Sequence, residues 1–259
     1  MFICEFQHKT ILSQKLILCL AGTRMMDLLG NGHLRKIMVE NSNPQPLGGN
    51  QMPRFGGIAT FMRLPGDTSL SDLDVAVVGV PFDIGTSNRP GARFGPRGIR
   101  DESVLLRPYN MATRAAPFDS LKIDDTGDVA SSPFDLSAAV EQIEDHFIEL
   151  LTHDVITASL GGDHTIVLPI LRAIAKKHGP VGLIHVDAHT DINDTMFGAK
   201  VAHGTPFRRA VEEGLLDPNR VAQSGYEELG TRRTTLTGLA SKVSGLCKQK
   251  SVGGKVSIC

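Results

Sequence analysis

From Leu73 onward, short apolar runs alternate with segments of helical period, and this alternation constrains the fold more than any other feature. Asp74 to Val80 is a nearly continuous apolar run ending in a loop rich in Pro and Gly, the pattern of a strand buried on both faces. Leu136, Val140, Ile143, Phe147 and Leu150 recur at alternating spacings of four and three, which places them on one face of a helix that Asp135 can cap. Val155 to Leu160 reads as the next strand. Thr165 to Lys177 reads as a helix with basic residues in its last turn and Gly179 beyond. Val181 to Val186 reads as another buried strand and Pro206 to Leu216 as another helix. Strands separated by helices pair in parallel through right-handed crossovers, and such sheets bind ligands at the carboxyl ends of their strands.

Composition narrows the choice. The chain has 259 residues, 41% hydrophobic and 21% charged, enough for one α/β domain with a sizeable core. A net charge of −1 gives no electrostatic ground for a nucleic acid or an anionic membrane as partner. No apolar run approaches the ~18 residues of a spanning helix. Cys4, Cys19, Cys247 and Cys259 fit no zinc spacing, and their sparseness argues against a disulfide scaffold and for a reducing compartment. The first sixty residues differ from the rest. Lys9, Lys15, Arg24, Arg35, Lys36 and Arg54 outnumber Glu5, Asp27 and Glu40, and Asn41 to Gly57 is rich in Asn, Pro and Gly. Residues 1–60 therefore read as a disordered leader and linker. A basic, acid-poor leader predicts organelle import, with a cytoplasmic extension as the alternative.

Two strand ends carry the chemistry. One reads Leu160-Gly161-Gly162-Asp163-His164, the other His185-Val186-Asp187-Ala188-His189-Thr190-Asp191. Residues two apart in an extended segment share a face, so Asp187, His189 and Asp191 can converge where the strand leaves the sheet. Carboxylates with imidazole suit a divalent ion such as Mn²⁺, and paired ions about 4 Å apart can activate one water. His164 can supply a further nitrogen. The competing assignments are structural: Asp163 as a helix cap, and His185 as a core histidine inside an apolar strand. His203 follows an irregular stretch and precedes a helix. It reads either as a loop histidine or as a proton carrier, since imidazole titrates near neutrality. The loop Pro81 to Arg97 is dense in turn residues and follows a strand, so it borders the site. Its prolines and the lack of a Gly-Lys-Ser/Thr run make it a poor phosphate loop.

Together these segments resemble the ureohydrolase family of arginases and agmatinases. Leu160 to His164 and Asp187 to Asp191 are similar to two of its metal motifs, and Gly79 to Arg97 looks like its agmatinase branch. Gly179 to Asp187 and Glu212 to Leu216 resemble the animal mitochondrial agmatinases in particular. The resemblance implies a three-layer α/β/α fold with a mainly parallel sheet. It also implies a hydrolase with two Mn²⁺ per subunit that releases urea from a small guanidino substrate such as agmatine. By the same resemblance His164, Asp187 and Asp191 match ligands of one ion, Asp187 as the bridge and His189 ligands of the other. His203 matches a proton relay and Asn193 a substrate contact. A homo-oligomer in the mitochondrion is expected, with a guanidino-acid hydrolase or a catalytically dead oligomer partner as alternatives. The family's further metal motif, Asp-x-Asp followed by Asp-Pro, has no counterpart after Asn193. The α/β domain is thus expected over 61–223, C-terminally truncated, and 224–259 is expected to be an aberrant tail produced by a one-base frame shift.

Overall fold

The structure, a computed structural model, describes residues 43–224. The residues expected as an import leader, and nearly all of those expected as a frame-shifted tail, fall outside the described residues. The strands are β1 (Val75–Val80), β2 (Ile123–Asp128), β3 (Ile156–Gly161), β4 (Val181–Val186) and β5 (Leu216–Ser224). The helices that position the site are α1 (Gly95–Ser103), α2 (Leu136–Leu151), α3 (Val167–His178) and α4 (Pro206–Glu212). The architecture is α/β, and each strand pair is parallel. β1 lies between β2 and β3, while β4 pairs with β5 in a separate sheet.

Period-two alternation on β1 sends side chains to two cores. Ala76, Val78 and Val80 pack with Ile143 and Phe147 of α2 and Ile170 and Ile174 of α3. Val77, on the opposite face, packs with Met62, Leu64, Phe118 and Leu160. Both faces are covered, as the unbroken apolar run of β1 requires. A third core joins Val167 and Leu171 of α3 to Leu183, Phe207, Ala210 and Leu216. It covers one face of β4. The other face carries Ile184 and Val186, 64% and 69% exposed, so the expectation of a strand buried on both sides holds for β1 and not for β4.

Further expectations need correction. β2 reads Ile-Asp-Asp-Thr-Gly-Asp and gives no strand signal, yet Asp124 and Asp125 are buried. Asp124 accepts from the amides of Gly66 (2.8 Å) and Thr68 (3.1 Å). Asp125 takes a two-pronged bond from Arg100 of α1, at 2.7 and 2.8 Å. Arg100 also reaches Asp128, and these carboxylates overcome the burial that would otherwise favour its neutral form. The helix expected to run to Leu216 stops at Glu212, because Gly214 turns the chain at φ 71° and Leu216 opens β5. Pro218 within β5 has no N–H to give, and the β4–β5 register shifts between Val181 and Leu183 beside it. Residues 43–60, expected as a disordered linker, hold no helix or strand but are fastened: Gln45 donates to the Phe118 carbonyl and the Leu47 amide to that of Arg63.

Candidate metal centre

The centre is built at the carboxyl ends of β3 and β4. Beyond β3 the chain turns at Gly162, φ 60°, where an added Cβ would stand 2.6 Å from the Val80 carbonyl oxygen. No other residue type meets both demands cheaply. Asp163 then caps the short helical turn His164–Ile166, accepting from the Thr165 amide at 2.8 Å. That turn presents the His164 ring to β4. His164 Nδ1 contacts Asp191 Oδ2 and lies 3.8 Å from Asp187 Oδ2. His185, the last buried side chain of β4, places Nε2 3.7 Å from the same Asp187 oxygen. The His164 and His185 rings sit 5.2 Å apart, and Phe207 of α4 packs against both, at 5.3 and 4.4 Å.

The structure thus brings His164, His185, Asp187 and Asp191 together, with one donor atom from each within 4.8 Å of all the others. Two imidazoles and two carboxylates form a donor set suited to a divalent cation such as manganese. Burial lowers the proton affinity of His185, and His164 beside it adds to the effect, so it presents a neutral ring. Burial alone would raise Asp187. The His189 amide, at 2.9 Å, and the surrounding imidazoles outweigh it and hold this carboxyl below its ordinary range.

His189 stands apart from the four. Its side chain is 73% exposed, with Nδ1 3.6 Å from Asp187 Oδ1. His185, read from the sequence as a core histidine, is buried but belongs to the donor group. Asn193 is exposed and spends its amide on the Gly204 carbonyl at 3.1 Å. His203 sits under the Pro81–Arg97 loop. Its backbone N–H and its Nδ1 both meet the Gly85 carbonyl, at 3.1 and 2.9 Å, and its Nε2 lies 3.5 Å from Ser87 Oγ. Phe207 gave no sequence signal as a site residue, because a helical Phe reads as ordinary core.

Comparison with known proteins agrees with this geometry. Residues 73–242 match the Arginase family, a match that runs past Gln223, where the sequence alone ended the domain. A guanidinobutyrase of Pseudomonas aeruginosa is 65% identical over 189 residues, covering 72% of this chain and 59% of that protein. The mitochondrial agmatinase of Gallus gallus is 55% identical over 169 residues, covering 65% of this chain and 50% of that one. The chain therefore spans little more than half the length of these relatives. The crystal structure of Trypanosoma cruzi formiminoglutamase with Mn²⁺ superposes with a TM-score of 0.64 at 26% identity, covering 72% of this chain and 63% of that one.

Proposed function

Because the chain belongs to the arginase family, we propose that its metal centre serves the hydrolysis of a small guanidino compound with release of urea. The observation that carries this reading is the convergence of His164, His185, Asp187 and Asp191 at adjoining strand ends. These residues would hold manganese, with exposed His189 next to Asp187 as a further donor. A bound metal supplies Lewis acidity and a water acidic enough to act as nucleophile near neutral pH.

The chain's own residues account for the rest. Asp187 stays ionised and His185 neutral, which keeps both competent as ligands. His203 is held by Nδ1 on the Gly85 carbonyl, leaving Nε2 to exchange a proton with the departing nitrogen. The Pro81–Arg97 loop stands over that ring through Gly85 and Ser87. For substrate we place 4-guanidinobutyrate first and agmatine second, since identity is 65% to the guanidinobutyrase and 55% to the agmatinase. Asn193 is assigned to the rim of the site, where it fastens the Gly204 turn next to His203. The basic leader and the mitochondrial relative support a mitochondrial address, and we expect a homo-oligomer.

Urea release from 4-guanidinobutyrate, agmatine and arginine, measured side by side with manganese present, tests the reading. Asp187→Ala should abolish manganese binding. His203→Ala should keep the metal but lower turnover by about 10²- to 10⁴-fold, the usual worth of a positioned acid–base group. Absence of urea from every guanidino substrate, together with co-assembly with an active homologue, would replace the enzyme reading with that of an oligomer partner.

A further inference from the structure

We propose that Asp163 is a positioning residue for His203, acting through the backbone of Gly85 to fix which ring nitrogen of His203 carries the proton. Asp163 is buried, 7% exposed, yet it belongs to none of the donor pairs of the metal centre. Its two oxygens divide their work. Oδ1 accepts from the Thr165 amide at 2.8 Å, which is the helix cap expected from the sequence. Oδ2 accepts from the Gly85 amide at 3.0 Å, across 78 residues of chain, which capping does not require. Burying a carboxylate is costly. A serine or threonine would cap the turn without that cost. The second bond is what a carboxylate adds.

Gly85 relays that bond. With its amide held by Asp163, its carbonyl accepts from both the backbone N–H and Nδ1 of His203. A carbonyl oxygen can only accept, so Nδ1 must carry the proton and Nε2 must be the open nitrogen. The relay requires glycine: a Cβ on Gly85 would stand 2.1 Å from Thr165 Oγ1 and 3.2 Å from Asp163 Oδ2. The Asp163 amide donates to the Phe82 carbonyl at 2.8 Å, so the loop is tied to the same residue a second time. Asp163 and Gly85 thus link the end of β3 to His203 through atoms that are not among the metal donors.

The inference rests on reading His203 as the proton relay, but its test needs no turnover. The full metal-free chain, labelled with ¹⁵N at histidine, is studied at about pH 8, where an ordinary imidazole is neutral. His203→Gln assigns the ring signals. The wild-type ring should be the Nδ1–H form. Asp163→Ser should keep the helix cap, since serine accepts from the Thr165 amide, but it is too short to hold Gly85. It should shift the tautomer ratio about five-fold toward Nε2–H, the worth of one neutral hydrogen bond. Asp163→Ala should shift it as far and destabilise the fold as well. Ser87→Ala, at a contact too long to be a strong bond, should leave the ratio unchanged.

A wild-type ring in the Nε2–H form overturns the inference, whatever the variants do. So does a folded Asp163→Ser chain with the wild-type ratio, or a shift in Ser87→Ala as large as that in Asp163→Ser. A failed urea assay with the expected tautomer shift would count against the hydrolase reading and leave this one standing.

Discussion

The sheet β2-β1-β3 and the sheet β4-β5 obey the same pairing rules but differ in what covers them. β1 is enclosed on both faces, with Ala76, Val78 and Val80 fully buried. β4 is enclosed on one face, and among the described residues its other face leaves Ile184 and Val186 open. The first sheet is also held by charge, through Arg100, Asp125 and Asp128, whereas the core that covers β4 is apolar. The candidate metal centre lies on the seam. His164 comes from the well-enclosed sheet and His185, Asp187 and Asp191 from the half-covered one. Loss of packing on the first side should therefore misplace one donor, and loss on the second should misplace three.

The largest break should come from Arg100→Met. It would leave Asp125, 1% exposed at its side chain, buried without its cation. Removing one partner of such a pair costs about 3–5 kcal/mol, because the surviving charge keeps its desolvation penalty. Denaturant unfolding should register that loss. Arg100→Met combined with Asp125→Leu should recover only part of it, because Asp125 also accepts from the amides of Phe61 at 2.6 Å and Gly127 at 3.0 Å, and full recovery would mean that those two bonds contribute little. A smaller effect is expected from Phe207→Leu, about 1–2 kcal/mol, within the range of ordinary core substitutions. Since Phe207 supports both imidazoles, manganese affinity measured by calorimetry should fall as well. Unchanged affinity would show that the two rings are held from elsewhere.

Those two residues also mark where the sequence was legible and where it was not. β1, β3 and β4 were readable because their apolar runs are short and bounded by turn residues. β2 was not, since three aspartates in six residues contradict strand composition, and the arginine that pairs with two of them, Asp125 and Asp128, lies on a helix that follows a turn-rich loop. At the candidate metal centre, period two points to the segment after β4. Applied backwards from Asp187 it reaches His185, on the same side of the strand as buried Leu183. Applied forwards it reaches His189, but the chain has by then left the strand. Asp191 has φ 49°, so alternation no longer sets direction there. That is why His189 turns to solvent while Asp191 turns back to His164.

Acid should sharpen the contrast without favouring one sheet. Burial lowers the proton affinity of His146 on α2 and of His185 on β4 below the ordinary value of 6.5. Both rings stay neutral in the folded chain while the unfolded chain takes up protons. Stability from these rings is thus complete above pH 6.5 and is lost as pH falls below it. Denaturation midpoints followed downward from neutral pH should decline. His146→Leu, which replaces a half-buried ring whose buried Nε2 has no hydrogen-bond partner among the described residues, should make that decline shallower. An equally steep decline in the variant would show that His146 does not set the acid sensitivity.

The smallest effect is expected on the open face of β4, and it tests the comparison most directly. Ile184 stands 64% exposed, so Ile184→Thr removes little apolar surface that folding has taken out of water. Threonine keeps the branched Cβ that suits a strand, so backbone preference is preserved. The change should fall within about ±0.5 kcal/mol, as for other exposed sites. Val78→Thr on β1 is the matched control. It introduces a hydroxyl at a fully buried position and should cost at least about 1–3 kcal/mol, the price of an unsatisfied buried polar group. If instead Ile184→Thr costs as much as Val78→Thr, the outer face of β4 is covered in solution. The asymmetry between the two sheets would then belong to residues 43–224 alone and not to the working protein.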